Sequence, residues 1–257
     1  MTEADGRVLE KEVKQSILDN PQLFDSLGYM GEYKLVYEKM TMRGKLIADA
    51  MIFTQNKGII GIEIKTEYDT LKRLPRQITN YARTCNYVYV YVHDSHLKDV
   101  IKILKEKGLY NIVGIISYTV FDDEVIPGLY KEPARVNPKY ELQSALTMLE
   151  KSSIVYLLGM ITYTSRQLEK SLFNKESKRI GRDLIKRKLQ ISHDFVKNHY
   201  TGRSYPQASY NNLIAQYCSL LGSEKGTQLL CETMMSDYSS VVKGINFYHF
   251  NSIDRGG

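Results

Sequence analysis

The side chains of this sequence best suited to chemistry fall within one short stretch. Asp49 sits inside a hydrophobic run, and Glu63 and Lys65 follow in Gly61-Ile62-Glu63-Ile64-Lys65. Gln77 and Tyr81 come shortly after, four residues apart. Two carboxylates converging from adjacent strands suit a hard divalent cation, which takes oxygen ligands. Such a cation stabilises charge on a phosphate and lowers the pKa of an attacking water. Lys65 lies two residues beyond Glu63 and so projects from the same face of a strand. An ammonium there can orient the water, contact phosphate oxygens or depress the carboxylate pKa values. These parts together are those of metal-assisted phosphodiester hydrolysis, with magnesium or manganese as the expected cofactor.

The elements that must position them are legible in the pattern. Lys45 to Thr54 reads as one strand and Ile59 to Lys65 as the next, joined by the turn Gln55-Asn56-Lys57-Gly58. Ile60, Ile62 and Ile64 turn to the core, leaving Gly61, Glu63 and Lys65 on the opposite face. Thr70 to Thr84 is expected as a helix, capped by Asp69 or Thr70, with Pro75 early enough to be tolerated or to kink it. Gln77 and Tyr81 share a face of that helix and can hydrogen-bond the water, the lysine or the substrate backbone. Lys72, Arg73 and Arg76 precede them and would meet a phosphate chain running over the site. The opening segment, Arg7 to Asp19, carries Leu9, Val13 and Ile17 at helical spacing and stops at Asn20-Pro21. Glu10 on it could bring a further carboxylate to the metal. Glu12 competes, and periodicity does not decide between them.

Further strands are expected over Tyr33 to Lys39, Asn86 to Val92 and Ile112 to Tyr118, with a helix over Ser95 to Lys107. The order gives an α/β (α+β) fold, a mixed sheet flanked by helices. Phe121 to Lys139, with Pro127, Pro133 and Pro138, reads as irregular: a short hairpin and a linker. From Tyr140 the patterning is helical, over Glu141–Lys151, Ile154–Tyr163, Ser165–Phe173, Lys178–His199, Ser209–Leu221 and Glu224–Met235. Residues 1–137 are therefore expected as one domain and 138–257 as an α-helical one, serving nucleic-acid binding, dimerisation or partner recognition.

The net charge of +6 is concentrated: seven basic residues between Lys175 and Lys188 face only Glu176 and Asp183. Arg179, Arg182 and Lys186 share a helical stripe there, opposite Ile180, Leu184, Ile191 and Phe195. A compact basic segment attracts polyanions, nucleic acid above all; a solvated helix face is the plainer account. The run from Tyr87 to Val92 fits a sheet strand better than a stacking platform. His93 with His96, and His193 with His199, make no metal site. Three widely spaced cysteines (Cys85, Cys218, Cys231) argue against a zinc ribbon or disulfide framework and suit a reducing compartment. The polar, acidic start is unlike a signal peptide and no apolar run is long enough to span a membrane, so the expected location is cytoplasmic.

The pattern resembles the PD-(D/E)xK nuclease superfamily, which includes restriction endonucleases, RecB-type nuclease domains and Holliday-junction resolvases. Gly61-Ile62-Glu63-Ile64-Lys65-Thr66 followed by Asp69-Thr70-Leu71-Lys72-Arg73-Leu74-Pro75-Arg76-Gln77 is similar to a group of small bacterial and phage proteins sharing Gly-x-Glu-Ile-Lys-Ser and Asp-x-Leu-x-Arg-Leu-x-x-Gln. Glu10, Val13, Ile17, Asn20 and Pro21 match the superfamily's opening helix. The resemblance covers roughly residues 7 to 118. It implies a restriction-endonuclease-like core in which Asp49 and Glu63, with the Ile64 carbonyl, hold the metal, Lys65 is catalytic and Glu10 assists. Gln77 with Tyr81 matches the RecB-type Gln-x-x-x-Tyr element, facing substrate together with Lys72, Arg73 and Arg76. Ala48 stands where the superfamily's name has proline, and Thr66 replaces serine. The implied activity is a nuclease, acting on DNA in preference to RNA. The rival is a catalytically silent phage- or defence-associated protein that uses the fold to bind nucleic acid or a partner protein.

Overall fold

The computed structural model describes residues 10–41, 46–151, 153–154, 157–158, 209–235 and 247–250. The chain builds a mixed sheet from β1 (Tyr33–Thr41), β2 (Leu46–Thr54), β3 (Gly58–Lys65), β4 (Tyr87–His93), β5 (Gly114–Phe121) and β6 (Glu124–Lys131), with β7 (Phe247–Phe250) paired to the edge of β1. The spatial order is β6-β5-β4-β3-β2-β1-β7. β1, β2 and β3 form an antiparallel meander, whereas β3, β4 and β5 are parallel. Parallel neighbours need long crossovers, and α2 (Leu74–Thr84) and α3 (Leu97–Glu106) supply them. β6 returns antiparallel to β5. The hairpin expected within 121–139 is therefore a full strand, and its exposed, proline-containing sequence suits an edge position.

Alternation decides which side chains meet which layer. Ile60, Ile62 and Ile64 join Tyr89 and Tyr91 on one face, covered by α1 (Glu10–Asp19) and the 3-10 segment Pro21–Leu27. α1 covers it with Val13, Ser16 and Ile17, at i, i+3 and i+4. Val88, Val90 and Val92 point the other way, into a core shared with α2 and α3. β4 is thus a central strand buried on both faces, and its tyrosines are packing residues, as the plainer reading held.

The second core does not stop at residue 137. Leu142, Leu146, Leu149, Leu213, Tyr217 and Leu230 pack into the same cluster as Met51, Ile59, Ile78 and Val88. These come from α4 (Leu142–Ala145), the 3-10 turn after it and α5 (Tyr210–Met235), which is interrupted at Gly222 (φ 69°). Asn137 ties the connection down, donating to the Ala82 and Cys85 carbonyls at the C-terminal end of α2. The helix expected over 141–151 is broken: Leu142–Ala145 is α-helical, a 3-10 turn follows, and Leu149 is extended (ψ 146°) before Lys151 is helical again. Tertiary burial of Leu142, Leu146 and Leu149 sets that path in place of local periodicity. Met234 fills core. The helices expected over 165–173 and 178–199 lie outside the described residues. Among the described residues no helix is long and apolar enough to cross a membrane.

Candidate active site

β2 and β3 are joined by the expected turn, with Gly58 in the left-handed region (φ 76°) that only glycine adopts freely. Their ladder runs from Thr54↔Gly58 to Ala50↔Ile62 and ends there. One step further, Asp49 and Glu63 stand opposite each other, and side chains take over from the backbone. The Asp49 carboxylate accepts from the Ile64 amide at 2.8 Å. The Tyr81 hydroxyl enters between the strands, accepting from the Asp49 amide at 2.8 Å and donating to the Ile62 carbonyl at 3.2 Å. On the far side of β2, Glu38 faces Asp49 between the pairs Tyr37↔Ala50 and Lys39↔Ala48. Glu38 is a non-glycine residue in the left-handed region (φ 53°), a strained conformation of the kind that clusters at functional sites.

Tyr81 is therefore not a substrate contact, contrary to expectation. Its side chain is buried and fixes the two strands that carry the acids. The sequence carried a second signal for this role in Gly61. A Cβ at Gly61 would lie 2.4 Å from Tyr81 Cδ1 and 2.6 Å from Cys85 Sγ, so the glycine makes room for the ring.

Glu63 is 0% exposed. Its Oε1 accepts from Lys65 Nζ at 2.5 Å, and the same ammonium donates to the Ile64 carbonyl at 3.0 Å. Glu63 Oε2 is buried with no hydrogen-bond partner. Burial, and next the charge of Asp49, push the Glu63 carboxyl up to about 7, against the opposing pull of Lys65. Burial also raises Asp49, with the Ile64 amide working against it.

Asp49, Ile64 and Lys65 line a cavity of about 440 Å³; Glu63, fully buried, is not part of its lining. Leu46 and Ile47 line it from the start of β2, and Arg73, Arg76 and Gln77 from the start of α2. α2 begins as a 3-10 turn, Leu71–Arg73, and becomes α-helical at Leu74. Pro75 falls in its first turn, where its missing N–H leaves no helical bond unmade, so the kink is not needed. Asp69 does not cap this helix; its carboxylate turns back to the Thr66 amide and hydroxyl at 2.8 and 2.9 Å. Asp69 lines the cavity as well, together with Arg73 and Arg76. Lys72 is exposed outside the cavity lining, so the expected trio of cations is a pair. Gln77 is 8% exposed, and its Oε1 is buried without a partner.

Glu10, not Glu12, lines the cavity. Its carboxylate pairs with Lys14 at 2.9 Å, and Lys14 also holds Glu38 at 3.1 Å. Arg179, Arg182 and Lys186 lie outside the described residues.

Among the described residues no group of three or more His, Cys, Asp or Glu side chains is arranged to hold a metal ion. The site instead offers two facing carboxylates and the Ile64 carbonyl. That donor set is all hard oxygen and leaves an orphaned buried carboxylate oxygen, so it fits magnesium or manganese, ions that keep several water ligands.

The family model for bacteriophage P4 protein cII matches residues 3–213 of the chain. This protein belongs to that family. No curated protein and no solved structure matches it.

Proposed function

We propose that this member of the bacteriophage P4 protein cII family is a divalent-metal-dependent nuclease that hydrolyses phosphodiester bonds, in DNA before RNA, on a restriction-endonuclease-like core of the PD-(D/E)xK type. The observation that carries the proposal is the meeting of Asp49, Glu63 and Lys65 at the end of the β2–β3 ladder, where Asp49 and Lys65 line one cavity together with Arg73 and Arg76. Nothing in the stability of a sheet calls for a buried carboxylate and ammonium with a second carboxylate beside them, because desolvating them is costly.

Asp49 and Glu63, with the Ile64 carbonyl, would hold magnesium or manganese. Bound there, the ion would supply charge stabilisation to the phosphate and lower the pKa of a water. Lys65 keeps Glu63 and the Ile64 carbonyl oriented and carries a positive charge facing the scissile phosphate. Arg73 and Arg76 bind neighbouring phosphates. Gln77, with an unsatisfied carbonyl, accepts a hydrogen bond from water or substrate. Tyr81 acts through the strands, holding Asp49 and β3 in register.

A catalytically silent protein that binds nucleic acid or a partner on this fold is the second reading. Lys65 favours it, because its ammonium already bonds two of the atoms a metal would take. The test is incubation of purified protein with single-stranded, duplex and branched DNA and with RNA, in magnesium or manganese, beside Glu63→Ala. Metal-dependent cleavage that falls by on the order of 10²–10³-fold in the variant is expected. Absence of cleavage on every substrate would falsify the nuclease reading and leave the silent one.

A further inference from the structure

The cavity lining mixes apolar side chains with cations and acids. Ile47 and Asp49 alternate along β2 and so share a face, and Met40 stands directly across from Ile47 in the β1–β2 ladder. Both apolar side chains lie open to solvent, Met40 at 56% and Ile47 at 54%, where the hairpin meets the cavity. Single exposed apolar residues are ordinary. A cross-strand pair of large ones, with one lining the site, forms a ledge. Arg73 and Arg76 bring guanidinium groups to the same lining, beside the acids Glu10, Asp49 and Asp69, and Gln77 adds a buried carbonyl with no partner. The volume of about 440 Å³ has room for one small unit.

A ligand matching the Met40–Ile47 ledge and the guanidinium groups carries an apolar flat face and an anionic group. A nucleotide answers that description only when its base is unstacked; within a duplex both faces of each base are covered. Resting on the nuclease reading, we propose that the substrate is an unpaired nucleic-acid strand. A base packs on Met40 and Ile47, and the flanking phosphates lie against Arg73 and Arg76. Sulfur–aromatic contact suits Met40 to the face of a base, and apolar side chains against unstacked bases are an established mode of recognition.

The test is fluorescence anisotropy with a labelled DNA single strand and with a blunt duplex of the same sequence in EDTA, alongside cleavage of both in magnesium. The full chain should bind the single strand about tenfold more tightly than the duplex. Met40→Ser/Ile47→Ser should lose about tenfold of the single-strand affinity. Phe121→Ser, which removes an exposed aromatic from the end of β5 outside the cavity, should keep it. Equal binding of the two forms, or a double variant that binds like wild type, overturns the proposal. Single-strand preference with no cleavage supports this ligand and sinks the nuclease reading. Cleavage that favours the duplex does the reverse.

Discussion

The two faces of β3 are equally buried and opposite in kind. On one, Ile60, Ile62 and Ile64 pack beneath α1 and beside Tyr89 and Tyr91. Each such isoleucine contributes about 1.5–3 kcal/mol by leaving water. On the other, Gly61 yields its space to the Tyr81 ring, while Glu63 and Lys65 form an ion pair at the centre of the sheet. The desolvation penalty of a buried pair can exceed its attraction, and apolar replacements are often neutral or stabilising. One strand therefore joins a face that holds the fold to a face that works against it. The second is intelligible as a site, and poor as architecture.

The largest effect should come from exchanging the roles of the two faces. Glu63→Gln/Lys65→Met removes both charges and keeps the volume. It should abolish metal-dependent cleavage, while urea unfolding shows stability unchanged or raised by about 1–4 kcal/mol. Ile62→Ala, one residue away on the other face, should cost about 2–5 kcal/mol through the cavity it leaves. If the double variant is destabilised as much as Ile62→Ala, the contrast between the faces collapses and the ion pair is structural.

A smaller effect sharpens the same contrast through pH. Glu63 titrates near 4.5 when unfolded and near 7 in the folded protein, chiefly because it is buried and then because Asp49 is close. Between those values the native state holds a proton that the unfolded chain has released. The stability from Glu63 is thus fully present below 4.5 and is lost as pH rises through about 7, a change of about 3 kcal/mol. Asp49 is raised as well and acts in the same direction. Lys39, pushed down to about 8 by burial, titrates above this window. Urea unfolding in EDTA should show stability falling from about pH 5 to about pH 8, and millimolar magnesium, which binds the ionised form, should flatten the fall. Glu63→Gln should flatten it without metal; Ile62→Ala should keep it. A flat wild-type profile would mean that Glu63 is ionised throughout.

The sheet and the carboxylates were readable because period-two alternation and the Asn56-Lys57-Gly58 turn fix register locally. That turn set Asp49 and Glu63 on neighbouring strands; the exact pairing came from the ladder. The role of Tyr81 was not readable, since four-residue spacing assigns a helix face without saying whether that face meets solvent or sheet. Gly61 was the clue, for its missing Cβ is where the ring lies. Asp69 misled as a cap because an aspartate before a helix can equally close its own loop, here onto Thr66. Beyond residue 137 helical periodicity found α5 but overextended α4, because burial of Leu142, Leu146 and Leu149 into the sheet core is a long-range effect.

The smallest effect asks whether charge on the α2 face matters away from the site. Arg83, on α2, pairs with Glu141 at 2.8 Å, and both side chains are close to half exposed. Solvent screens such a pair, so Arg83→Ala should cost less than about 1 kcal/mol and leave cleavage intact. Asn137 joins the same helix end to the same following segment, but its amide is buried between two carbonyls. Asn137→Ala strands those acceptors and should cost about 1–3 kcal/mol. If Arg83→Ala destabilised the protein as much as Asn137→Ala, ion pairs would be holding this face together generally. The Glu63–Lys65 pair would then need no chemistry to explain it. With Arg83 near neutral, the ion pair withdrawn from water on this face, among the described residues, is Glu63–Lys65, and burial separates it from a charge merely tolerated at the surface.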